Sequence, residues 1–195
     1  DLTATPKKES NIISYVDAVQ LKNEHMVKLP VIVYNRDSQS EVLIDAIDLR
    51  NKLEEIANAE YDRTGKYIRP IALFQAQPKG KEDATTFEKL RDKLVDKGIP
   101  AVQIAIRTAD VNELKNTDLM SPSCPIRYII TVNALKEGWD CPFAYILASL
   151  ANKTSQVDVE QILGRILRLP HTSQHTQSAL NMSYVLTSSN DFNNT

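Results

Sequence analysis

Short apolar runs of strand length alternate with longer stretches of helical periodicity, and this alternation constrains the fold more than any other feature of the chain. Residues 70–75, 101–106, 127–132 and 144–150 are such runs, each bounded by turn-forming residues, and 183–187 has the makings of one more. Continuous apolar runs, rather than an apolar–polar alternation, are the pattern of parallel strands covered on both faces. Helix signals lie between them. Ser38 to Glu41 has capping-box spacing, and Val42, Ala46, Leu49, Leu53 and Ile56 then share a stripe, with Arg50, Glu54, Glu55 and Asn58 elsewhere, until Gly65 ends the helix. Thr85 to Glu88 repeats the spacing before a helix with Phe87, Leu90 and Leu94 inward and Gly98 at its end. Residues 155–158 cap a third helix, which Pro170 stops. Strands and helices in this order predict an α/β fold with a doubly wound, mostly parallel sheet.

The 195 residues suffice for one large domain with a proper core. Residues 1–10 read as a polar lead. Runs at 12–16, 26–28 and 31–34 have strand preference, so 1–40 is expected to be a β-rich N-terminal extension. The sheet domain then spans 41–190, with a loop at 107–125, and 191–195 form a loose tail. A start at Asp1 rather than Met points to a piece excised from a longer protein.

The chemistry concentrates between residues 131 and 168. Gln161, Arg165 and Arg168 are spaced i, i+4 and i+7, which on a helix aligns them in one row, while Val159, Ile162, Leu163, Ile166 and Leu167 face the other way. Arginine pairs on an amphipathic helix usually face water. Here, however, two guanidiniums one turn apart repel each other unless an anion lies over them, and their planar forks suit polyphosphate. Gly164 in mid-helix costs about 1 kcal/mol relative to Ala, a cost expected where something approaches the backbone closely. Upstream, Gly138 and Asp140 follow a strand-like run, which places them at a strand's carboxyl end, where open α/β sheets bind ligands.

Gly138-x-Asp140 together with Gln161-x-x-Gly164-Arg165-x-x-Arg168 resembles motifs V and VI of the superfamily 2 helicases and translocases. The wording Lys136-Glu137-Gly138-Trp139-Asp140-Cys141-Pro142 and the ending Arg168-Leu169-Pro170 most resemble the restriction (Res) subunit of type III restriction-modification enzymes. The nucleotide-excision-repair helicases are similar through the pattern that starts at Asn133. The resemblance covers residues 125–170 specifically and 70–125 diffusely. It implies the second RecA-like motor domain of a DNA translocase, without a P-loop of its own and with strand 70–75 in the place of motif IV. ATP and Mg²⁺ would be held by the intact enzyme, between this domain and a preceding RecA-like domain. Arg168 would be the arginine finger, Arg165 a second phosphate contact, and both would be catalytic. Gln161 would organise the ATP site, Asp140 would approach the ribose or the arginine face, and Gly138 would allow the close turn. Thr131 and Asn133 would touch the phosphate backbone of double-stranded DNA, or else merely cap the next turn, and Trp139 is expected in core packing. A modification methyltransferase subunit is a further implied partner. A repair helicase, or a nucleotide-binding or protein-docking module without motor activity, remains an alternative.

Composition sets the limits. The five glycines include no pair that fits G-x-x-x-x-G-K-[ST], since Gly65-Lys66 and Gly80-Lys81 lack both the upstream Gly and the following Ser or Thr. No Asp-Glu pair follows a buried strand, so the chain alone is expected not to hydrolyse ATP. It carries no nuclease constellation, which in type III enzymes sits in a later domain. Net charge −2 gives no bulk attraction to DNA. His171 and His175 lack a third ligand and are expected in a solvated loop, with no metal. Cys124 and Cys141 form neither a metal pair nor a disulfide framework, so a reducing cytoplasm is expected. No apolar run approaches membrane-spanning length.

Overall fold

The computed structural model describes residues 23–24, 26–78, 85–132, 140–150, 164 and 166–188. Among these, six strands form one sheet: β1 (Val31–Asn35), β2 (Ile71–Gln75), β3 (Ile104–Ile106), β4 (Tyr128–Thr131), β5 (Ala144–Ser149) and β6 (Ser183–Thr187). Helices α1 (Gln39–Thr64) and α2 (Phe87–Asp96) flank it. The strand order is β1-β6-β5-β2-β4-β3, and every pairing is parallel. The α/β class and the parallel sheet read from the sequence are therefore present.

The central strands show why they have no polar alternation. All residues of β2, β4 and β5 are buried, so both faces of these strands are covered. Leu73, Phe74, Ile129, Ile130, Ile146, Leu147 and Val185 are fully enclosed. Truncating one of the Leu or Ile residues to Ala costs about 2–5 kcal/mol, the lost transfer energy plus that of the cavity left behind.

Helix ends follow the capping chemistry. The Ser38 hydroxyl accepts the Glu41 N–H at 3.2 Å, and the Glu41 carboxylate reaches back to the Asp37 N–H at 3.0 Å. Gly65, at φ +71°, closes α1 in the left-handed region and donates its N–H to Tyr61. The cap of α2 is Thr86, one residue beyond the Thr85 expected, because Thr85 instead donates its N–H to the Gln77 side-chain oxygen and its hydroxyl to Gln39.

The buried stripe of α1 also differs. It runs through Val42, Ala46, Arg50, Leu53, Ala57 and Glu60, and so includes two charged residues. Arg50 is accommodated because Glu54 and Asn51 accept from it, and because its guanidinium lies 5.4 Å from the Tyr128 ring centroid. β1 pairs with β6 along its whole length. The boundary expected at residue 40 thus falls between a strand and a helix of the same sheet unit. Residues 101–103 form a 3₁₀ turn, which shortens β3.

Candidate functional site

In an all-parallel sheet the residues just before each strand collect at one end. Here that amino end gathers Lys28 and its neighbours before β1, Arg69 before β2, and Asp140 to Phe143 before β5. Arg168 joins them from a later segment. Its guanidinium pairs with the Asp140 carboxylate, with side chains 59% and 40% exposed. A cleft of about 360 Å³ opens beside Asp140, lined by Arg107, Asn112, Asp118, Met120 and Cys141 among others. An exposed cation paired with one exposed carboxylate can exchange that partner for another anion at little cost, since such pairs contribute about 0–1 kcal/mol.

Two features differ from the sequence expectations. Asp140 stands at the amino end of β5, not at a strand's carboxyl end, because the strand it helps to start runs parallel to the one before it. Arg168 lies past the helix: Gly164 and Ile166 are helical, Leu167 is not, and Arg168 forms an antiparallel bridge with Val27. Lys28 N–H donates to Leu167 at 2.5 Å and Leu169 N–H to Met26 at 2.9 Å, and these two bonds draw the chain out of the helix before Pro170. Arg168 therefore sits on an extended segment, not on the rod expected to carry the whole row. A Cβ on Gly164 would meet nothing within 4 Å, so among the described residues none makes the close backbone approach expected there.

Thr131 lies at the opposite, carboxyl end of the sheet, level with Gln75 and Ser149. It is 1% exposed, and its carbonyl accepts the Ala76 N–H at 2.7 Å. Around it the carboxyl end is polar and hydrogen-bonded: Ser149 donates to Gln75 at 3.0 Å, and Gln39 donates to the Leu150 carbonyl at 2.8 Å. The structure thus brings Asp140 and Arg168 together and keeps Thr131 apart from them. Asn133, Gly138, Trp139, Gln161 and Arg165 lie outside the described residues.

No protein-family model matches this chain. No curated protein matches it either.

Besides Arg50, three buried charged groups among the described residues escaped the sequence reading. Lys28 is fully enclosed, its amine donating to the carbonyls of Pro142 at 2.8 Å and Arg168 at 2.7 Å and lying 4.5 Å from the centroid of the Tyr145 ring. Burial brings its pKa down to about 7, against the opposing influence of Cys141 and Asp140. The adjacent Cys141 thiol is pushed up to about 11 by burial, which makes it a poor nucleophile. Arg69 donates to the carbonyls of Ile126, Ser121 and Leu119 at 2.8, 2.8 and 2.6 Å, and so ties down the loop that walls the cleft.

Glu60 is the third. Burial would raise its pKa, but the Thr176 hydroxyl and N–H and the Arg63 guanidinium outweigh that and hold it at about 2. His175 lies beside it, with Nδ1 3.7 Å from Glu60, and is buried rather than in the solvated loop expected. Burial lowers the His175 pKa and favours the neutral ring. His171 bonds the Tyr67 carbonyl at 2.9 Å. Among the described residues no group of three His, Cys, Asp or Glu side chains is placed to hold a metal, and no helix is long and apolar enough to cross a membrane. Polarity alone signals none of the three buried groups, since Lys, Arg and Glu are usually exposed.

Proposed function

We propose that this chain is the second RecA-like motor domain of an ATP-dependent, superfamily 2-type DNA translocase, with the restriction subunit of a type III restriction-modification enzyme as the favoured parent. Arg168, which carries the reading, is an exposed guanidinium paired with Asp140, a residue that lines a cleft, and in this reading a triphosphate bound to a preceding domain reaches it from the solvent side. In phosphoryl transfer an arginine supplied by a neighbouring domain stabilises charge on the moving group and contributes about 10³–10⁵ in rate. Asp140 then acts as the resting partner that Arg168 leaves when nucleotide arrives. Arg165, Gln161 and Gly138 complete the ATP-facing set by resemblance, with Mg²⁺ held by the preceding domain. By resemblance Thr131 and Asn133 serve the DNA backbone; Thr131, itself buried, closes β4 at the other end of the sheet. Separation of the two ends suits a motor, because closure of the cleft at one end is then transmitted as displacement of the track at the other.

The test is Arg168→Ala in the intact protein. The expected result is loss of about 10³-fold or more in ATP turnover with little change in stability. Turnover within about twofold of the wild type rejects the finger role and favours a docking module without motor activity.

A further inference from the structure

We infer that Lys28 is a positioning residue for Arg168, a buried staple that fixes both sides of the Arg168–Asp140 pair from the segment before β1. The inference rests on the functional reading above. One amine bonds the carbonyls of Pro142 and Arg168 themselves, two residues from Asp140 in the first case and on the arginine's own backbone in the second. Its position is fixed in turn. The main chain of Lys28 donates to Leu167 and its carbonyl accepts the Ser183 hydroxyl at 3.3 Å, so the staple is anchored to the start of β6.

Energetics argue against a casual packing role. An amine enclosed to 0% exposure is among the costliest groups to bury, and an apolar side chain in the same slot would fill it at far lower cost. What methionine cannot do is hold two carbonyls from segments distant in the chain at one point. The Arg168 side chain is itself mostly solvated and its pair with Asp140 is exposed and weak, so its backbone sets where the guanidinium starts. A catalytic cation misplaced by about 1 Å loses about 10²-fold in rate. Lys28 touches no reacting atom in this scheme; it acts through the placement of Arg168.

The experiment compares wild type, Lys28→Met, Lys28→Gln and Arg168→Ala in the intact protein, with two readouts. Amide hydrogen exchange reports the Leu169 N–H bonded to Met26, whether or not ATP is turned over. Steady-state kinetics separates kcat from KM for ATP. The inference expects Lys28→Met to speed exchange at Leu169 while α1 and the central strands stay protected. It also expects kcat to fall about tenfold or more with KM for ATP changed by less than about threefold, the signature of a lost transition-state contact. Lys28→Gln, which keeps an amide donor, is expected to recover part of both. Wild-type exchange at Leu169 and kcat within about twofold in Lys28→Met overturns the staple. If Lys28→Met fails to fold, Lys28→Gln decides by the same criteria. Should Arg168→Ala leave turnover unchanged, the motor reading fails on its own, and exchange at Leu169 still decides whether Lys28 holds the Arg168 segment.

Discussion

Arg168 and Asp140, 28 residues apart in the chain, meet as an exposed ion pair at the amino end of the parallel sheet. The two halves arrive by different routes, Asp140 at the start of β5 and Arg168 on a segment bridged to Val27. Because both groups remain solvated, the pair contributes little to stability and is free to serve chemistry.

A charge swap separates those two roles. Asp140→Arg combined with Arg168→Asp re-forms an ion pair of opposite polarity, so urea midpoints should shift by less than the equivalent of about 1 kcal/mol. ATP turnover in the intact protein should stay as low as in Arg168→Ala, because the cation is no longer carried on the 167–169 segment. Recovery of turnover by the double variant rejects a dedicated role for position 168.

Glu60 should govern acid stability. Its carboxylate is held at about 2 in the folded chain against an ordinary 4.5, so the unfolded chain takes up the proton first. Stability from this group is present above pH 4.5 and drains away as pH falls toward 2. Glu60→Gln should cost about 3 kcal/mol at pH 7, since the amide turns donors toward Thr176 and Arg63. It should also flatten the acid limb of the unfolding free energy measured by urea titration. An unchanged acid limb rules the assignment out.

Lys28 should impose a slope of opposite origin. Its folded pKa of about 7 lies below the ordinary 10.5, so between these values the unfolded chain binds the extra proton and stability rises with pH. The difference in unfolding free energy between wild type and Lys28→Met should therefore move in favour of wild type as pH rises from about 6.5 to 9.5. A difference independent of pH means that the amine does not titrate in this range.

Arg69 should control the wall of the cleft. Arg69→Met leaves the carbonyls of Leu119, Ser121 and Ile126 without their donor, at a cost of about 3 kcal/mol or more. Arg69→Lys should recover only part, since one ammonium cannot match a planar fork that serves three acceptors. Hydrogen exchange should accelerate at residues 119–127 well before it does in β2 or β5. Uniform acceleration through the sheet would show that Arg69 serves global rather than local stability.

The amino-acid sequence by itself determined the strands and the two flanking helices, because those signals are local: continuous apolar runs for β2, β4 and β5, Ser38 and Gly65 for the ends of α1. It also singled out Asp140 and Arg168, through residue types at fixed spacing. Only the tertiary structure decided that Arg168 leaves the helix, since the bonds that draw it out come from Met26 and Lys28, far away in the chain. The same holds for Arg50, Glu60, Lys28, Arg69 and His175, which look like surface residues by composition and are buried because distant groups satisfy or enclose them. β1 joined the sheet for that reason too, its partner β6 lying at the far end of the described chain. Capping and periodicity act over a few residues and can be read in order. Burial of a charge depends on which carbonyls and carboxylates the folded chain brings to it, and no window of sequence contains them.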